Sequence, residues 1–247
     1  MIRAALILCL LAGAALAQTA PQAVPEPPER PDPEERDVIP EADVERPMPD
    51  TSADATPVRE ALRESDRDYV ACLADLNALG TAYEEQPPII GDNPDCGIAR
   101  PLLITEIVPG VALNPDSRMR CETARALGRW METFVLPASA MIDRGPVTAV
   151  DHGSTYVCRS RASGEKLSEH AFGNAVDVMG FRFEDGSVIA IEPRERDGTL
   201  AEAFQDAVRA SACLSFTTVL GPGTDAAHAD HLHLDVKARN GGFRLCQ

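Results

Sequence analysis

SEHAFGNAVDVMGF, residues 168–181, decides how this chain is read. Gly173-Asn174 in its middle is turn chemistry, because glycine supplies the left-handed conformation and asparagine tolerates it. From residue 175 to 181 the pattern is that of a strand. Successive strand side chains alternate faces, so Ala175, Asp177 and Met179 share one of them. His170 can then fold back over a strand that presents the Asp177 carboxylate. A second stretch, HADHLHLD at 228–235, answers the first. On a strand over 232–236, His231 and His233 point one way while Leu232 and Leu234 point into a core. Four of the five histidines lie in these two stretches. Two neighbouring strands would gather His170, Asp177 and His233. Clustered imidazoles and a carboxylate are what zinc needs, and three protein ligands leave a fourth position for water, as in catalytic sites.

Further strand-like runs lie at 101–108, 147–150, 155–158, 188–191 and 216–220. Helical periodicity covers 58–79, up to Gly80. Asn114-Pro115 has the form of a helix start, with Asn as cap and Pro at the first position. The helix after it spaces Cys121, Ala124, Leu127, Met131 and Phe134 along one face and stops before Pro137. Trp130 belongs to that core. A capping box at 199–202 opens another helix, running to about Ala212. Helices early and strands later predict an α+β fold, a mainly antiparallel sheet flanked by helices.

The N-terminus has a different composition. Arg3, an apolar run over 4–16 and Ala15-Leu16-Ala17 predict a signal peptide over residues 1–17, hence an exported, periplasmic chain. Residues 18–60 hold ten prolines and twelve acidic residues against four arginines. Such a segment cannot bury enough apolar surface to order itself, and it predicts a disordered Pro/acidic tether before a domain over 61–247. The formal charge of −16, with no basic cluster, argues against nucleic acid as a partner. No apolar run in the mature chain is long enough for an integral membrane segment. Six cysteines follow the signal, an even number that predicts a disulfide framework with fifteen pairings open. The expected set is Cys72–Cys96, Cys121–Cys158 and Cys213–Cys246.

SEHAFGNAVD resembles the SxHxxGxAxD pattern of the superfamily containing D-Ala-D-Ala metallopeptidases, lysostaphin-type endopeptidases and the hedgehog domain, and HLH at 231–233 resembles its closing element. More closely, Cys72 to Cys246 resembles the extensin-like C-terminal domain family of exported bacterial proteins, through CGIARPL, CETARALGRW, YVCR, SEHAFGNAVDVMGF, and LGPG followed by HADHLHLD. The resemblance implies a hedgehog/D-Ala-D-Ala-peptidase-like fold and a Zn(2+) ion on His170, Asp177 and His233. It implies peptidoglycan stem peptides or crosslinks as substrate, and an endopeptidase or carboxypeptidase activity. Asp230 and His231 are then the catalytic pair. Asp230 is expected as base and His231 as oxyanion stabiliser, with the reverse open. Relatives carry a substrate-binding arginine ahead of the metal loop. Here Arg159 and Arg161 occupy that region, and an arginine fork suits a carboxylate. Ser168 is a further substrate contact, and Asp235 is expected to orient a ligand imidazole. Two rival expectations remain: a non-catalytic wall-binding module with a structural metal, and a disulfide scaffold that binds none.

Overall fold

A computed structural model describes residues 56–161, 164, 166–196 and 198–247. The expected signal peptide, and the expected tether up to residue 55, lie outside the described residues. The last tether residues lie within them, and they are docked. Val58–Ala61 forms a short helix, α1. The Val58 amide donates to Asp95 Oδ1 (3.1 Å), and the Arg59 guanidinium donates to the Pro94 and Cys96 carbonyls. The folded chain therefore begins before Ala61.

Helix α2, Asp66–Leu79, starts at Ser65, whose hydroxyl accepts from the Asp68 amide, and stops at left-handed Gly80. The strands follow as β1 (Ala82–Glu85), β2 (Ile89–Ile90), β3 (Gly97–Ile98), β4 (Pro101–Val108) and β5 (Val111–Arg120). Helix α3, Cys121–Trp130, runs through a π-helical turn, Met131–Val135, into α4, Leu136–Ser139. After it come β6 (Val147–His152), β7 (Ala175–Phe183), β8 (Val188–Ala190), helix α5 (Leu200–Ser215), β9 (Thr218–Leu220), β10 (Leu232–Asp235) and β11 (Leu245–Cys246).

The main sheet runs β1-β4-β5-β6-β7-β10-β9-β11, with β8 also on β7. It is antiparallel except for β5 with β6 and β9 with β11. The α+β expectation holds. Two local expectations do not. Asn114-Pro115 lies inside β5, where Asn114 pairs with Asp151, and the helix opens only at Cys121. Pairing with β4 and β6 outweighs the local cap signal. Pro137 does not end the helical segment: it follows a π-helical turn in which the Leu136 amide bonds back to the Met131 carbonyl, and the helix continues to Ser139. The run at 155–158 is not a strand; instead its Thr155 carbonyl faces His170 Nδ1 and its Val157 amide donates to the His170 carbonyl.

The core forms where the helices meet the sheet. Trp130 is fully buried, donates from Nε1 to the Val208 carbonyl of α5, and packs against Phe181 and Phe216. Three disulfides are present. Cys213–Cys246 matches expectation, while the others exchange partners as Cys72–Cys121 and Cys96–Cys158. Packing decides this: α2 lies against α3, which brings Cys72 to Cys121 with Cα atoms 6.2 Å apart. Cys96 reaches Cys158, ahead of the turn that holds His170. No described helix is long and apolar enough to cross a membrane.

Candidate metal centre

Strands β7 and β10 carry the site on the face turned away from the helices. Val176, Val178, Leu232 and Leu234 point into the core and are fully buried. Alternation then puts Asp177 and His233 on the other face, directly opposite each other in the register. His170 comes from a single 3₁₀ turn, Glu169–Phe172, that ends at Gly173 with φ 67°. A Cβ on Gly173 would stand 2.3 Å from the Ile98 side chain. Glycine is therefore required there both by conformation and by space. The Gly173 carbonyl accepts from the Arg120 amide and the Thr123 hydroxyl, which fixes the turn to the start of α3.

The three donors converge. His170 Nε2 lies 3.0 Å from Asp177 Oδ1 and 3.1 Å from His233 Nδ1, and His233 Nδ1 lies 3.0 Å from Asp177 Oδ1. The far side of each ring assigns its proton. His170 Nδ1 faces the Thr155 carbonyl at 3.3 Å, which can only accept, so the proton sits there. His233 Nε2 faces Asp235 Oδ2 at 3.4 Å and keeps its proton for the same reason. Asp177 Oδ2 takes the Ser154 hydroxyl at 2.9 Å, leaving Oδ1 free to face inward. Two imidazole lone pairs and a carboxylate oxygen thus surround one point.

That point calls for positive charge. Burial opposes charge on His233, but Asp177 and Asp235 outweigh it and push the imidazole up to about 9. Burial likewise disfavours the Asp177 carboxylate, yet His170 and His233 hold it well below the usual carboxylate range. A proton on His233 Nδ1 satisfies the Asp177 oxygen but leaves His170 Nε2 without a cation. A metal ion would serve all three, and by donor type and spacing the set could hold one.

The model of the family "Extensin-like protein C-terminus" matches residues 70–247 of the 247-residue chain. The chain belongs to this family. No curated protein and no solved structure matches it.

In this extensin-like domain the triad opens into a cleft of about 320 Å³ lined by Arg159, Arg161, Ser168, His228 and His231 among others. His231 Nε2 is 3.7 Å from Asp177 Oδ1, and its Nδ1 donates to Asp230 Oδ1 at 2.9 Å. Asp230 itself is turned outward, with its side chain 75% exposed. The structure thus brings His231 to the triad and leaves Asp230 behind it. His228 repeats the arrangement: its Nδ1 donates to Asp225 Oδ1 at 2.7 Å, and its ring lies 5.3 Å from that of His231. The Asp225 carboxyl is held below its ordinary value chiefly by that hydrogen bond.

Arg159 and Arg161 do both line the cleft, but they differ. Arg161 is engaged by the buried Glu169 at 3.2 Å, which also takes Lys237 at 2.6 Å and the Asn174 amide at 3.0 Å. Ser168 borders the cleft and is buried. Sequence reasoning did not find Ser154, Asp225 or Arg239. Asp225 had a legible signal, an acidic residue three before a histidine. Ser154 and Arg239 had none, since they reach the site only through the fold.

Proposed function

We propose that this chain is an exported zinc hydrolase that cuts an amide bond in peptidoglycan stem peptides or crosslinks, with the D-Ala-D-Ala-metallopeptidase superfamily as its wider kin. The observation that carries this is an open triad of converging donors beside an imidazole whose far nitrogen is held by a carboxylate. A structural site encloses its ion with four protein ligands, whereas three ligands and an open cleft leave room for chemistry. A tetrahedral ion with bonds of about 2.0–2.1 Å spaces its donors about 3.3 Å apart. The observed edges of 3.0–3.1 Å fall within a few tenths of that. His170, Asp177 and His233 would hold the ion. When bound, zinc supplies a Lewis acid for a carbonyl oxygen and hydroxide at neutral pH.

His231 is the general base in this mechanism. Asp230 holds its Nδ1–H and so keeps the lone pair of Nε2 facing the triad. Nε2 accepts the proton of the attacking water as the new C–O bond forms. The same atom then delivers that proton to the amide nitrogen as the C–N bond breaks. Asp230 acts through His231, which reverses the expectation that Asp230 is the base. His228, held by Asp225, forms part of the cleft wall beside His231. Three disulfides suit an oxidising compartment, and this fits export to the periplasm.

The test is metal analysis of the purified chain followed by mass spectrometry of digested peptidoglycan. About one zinc per chain and a new free amine at one bond type are expected. Zinc with no cleavage, on intact wall and on defined stem peptides, would favour the wall-binding module instead.

A further inference from the structure

Four carboxylates and three arginines line the metal cleft, and nearly all of them are committed. Asp177 faces the triad and takes the Ser154 hydroxyl, Asp225 holds His228, and Asp235 holds His233. Glu169 takes Arg161 and Lys237. Two cations remain. Among the described residues, the Arg159 guanidinium has no hydrogen bond or ion pair, although its carbonyl accepts from the Ser168 amide. Arg239 has no carboxylate within ion-pair distance among the described residues. Its Nη2 donates to Thr218 Oγ1 at 2.6 Å and its guanidinium lies over the Phe243 ring at 5.7 Å. Its Nε is buried without a partner.

A guanidinium N–H buried without an acceptor is costly, and carboxylates are abundant in a chain of charge −16. A partner could have been supplied from within, yet none is. The anchoring also aims Arg239 at the site. Thr218 pairs with Asp235 in the β9–β10 register, and Asp235 holds His233. The arginine is thus fixed by contacts that lead directly to a triad imidazole. With a divalent ion in place, the cleft lining would carry net positive charge.

We propose that Arg239 forms a carboxylate-binding subsite of the metal cleft, a cation additional to the Arg159 already expected from the family resemblance. An arginine fork matches the two oxygens of a carboxylate. The substrate would then be a peptide with a carboxylate close to the bond that is cut, either its C-terminal carboxylate or an acidic side chain. The peptide part rests on the hydrolase proposed above; the carboxylate part does not.

The test uses the metal-loaded full chain and the arginine Nε–H resonances in NMR, with that of Arg239 assigned from R239K. N-acetyl-D-alanine should shift the Arg239 resonance saturably, and N-acetyl-D-alaninamide should not. R239Q should weaken binding of the acid by about tenfold or more, with metal content and melting temperature unchanged, and R239K should fall between. Stem peptides amidated singly at the C-terminus or at an acidic side chain name the source. The amide that loses affinity and no longer responds to R239Q marks the carboxylate that is bound. An Arg239 resonance indifferent to the acid, or one that responds equally to acid and amide, would overturn the subsite, as would full affinity in R239Q. If R239Q does not fold, the wild-type titration decides alone. Carboxylate binding without cleavage of any wall peptide would refute the hydrolase and leave the subsite standing.

Discussion

Strands β7 and β10 present two faces made from adjacent residues with opposite chemistry. On one, Val176, Val178, Leu232 and Leu234 are fully buried against the helices. On the other, Asp177, His231, His233 and Asp235 surround a cleft. The core face is held by non-directional burial, in which each side chain is replaceable at a cost in stability. The cleft face depends on which atom points where, and a neighbour one residue away cannot substitute. The same backbone therefore carries stability on one face and selectivity on the other.

The largest expected effect separates the two faces outright. His170→Ala or His233→Ala should abolish metal binding, taking a stoichiometry near one to near zero by elemental analysis, while cooperative unfolding persists. Leu234→Ala should do the reverse, costing about 2–5 kcal/mol of stability with metal binding kept in the folded fraction. If a histidine variant unfolds, or the leucine variant loses metal while still folded, the faces are not independent.

Next comes chemistry within the cleft face. His231→Ala should lower turnover of wall peptides by about two to four decades with metal content unchanged. Asp230→Ala, which only removes the support for His231, should cost less. An Asp230→Ala loss as large as that of His231→Ala would restore Asp230 as the base.

Asp235→Asn probes the layer behind the donors. Loss of such a supporting carboxylate typically costs about 10–100-fold in metal affinity, measurable by competition with a chelator. Unchanged affinity would show that Asp235 does not orient His233.

The smallest effect is in pH. Without an ion, His233 is pushed up to about 9, so a proton occupies the site in neutral solution. Metal must displace that proton, so affinity should rise about tenfold per pH unit up to about 9 and then level off. In the metal-free fold the raised imidazole stabilises the native state fully below its unfolded value of about 6.5. That contribution is lost as pH climbs through about 9. Metal affinity flat between pH 6 and 8 would contradict the proton assignment.

Much of this was legible in the chain because it is local. The period-two pattern over 175–181 and 232–236 placed the donors and the core leucines on opposite faces, and the structure keeps them there. Helical spacing found α3, and the capping threonine found α5, where Thr199 accepts from the Glu202 amide. Local signals misled where pairing overruled them. Asn114-Pro115 resembles a helix start but is held in β5 between two strands. Cys72 and Cys96 are near in sequence but are bonded elsewhere, because helix packing and not chain distance sets which thiols meet.

What the sequence by itself determined was the set of donors, an imidazole in a turn and a carboxylate and a second imidazole on strands, because residue type, turn chemistry and side-chain period are local properties. Only the tertiary structure decided how each donor is used. The Thr155 carbonyl and the Asp235 carboxylate select the nitrogen that faces inward on His170 and His233. The fold turns Asp230 outward behind His231 and carries Arg239 from the C-terminal segment into the cleft. Each of these depends on groups that approach through space, where hydrogen-bond direction and the positions of neighbouring charges operate and sequence spacing does not.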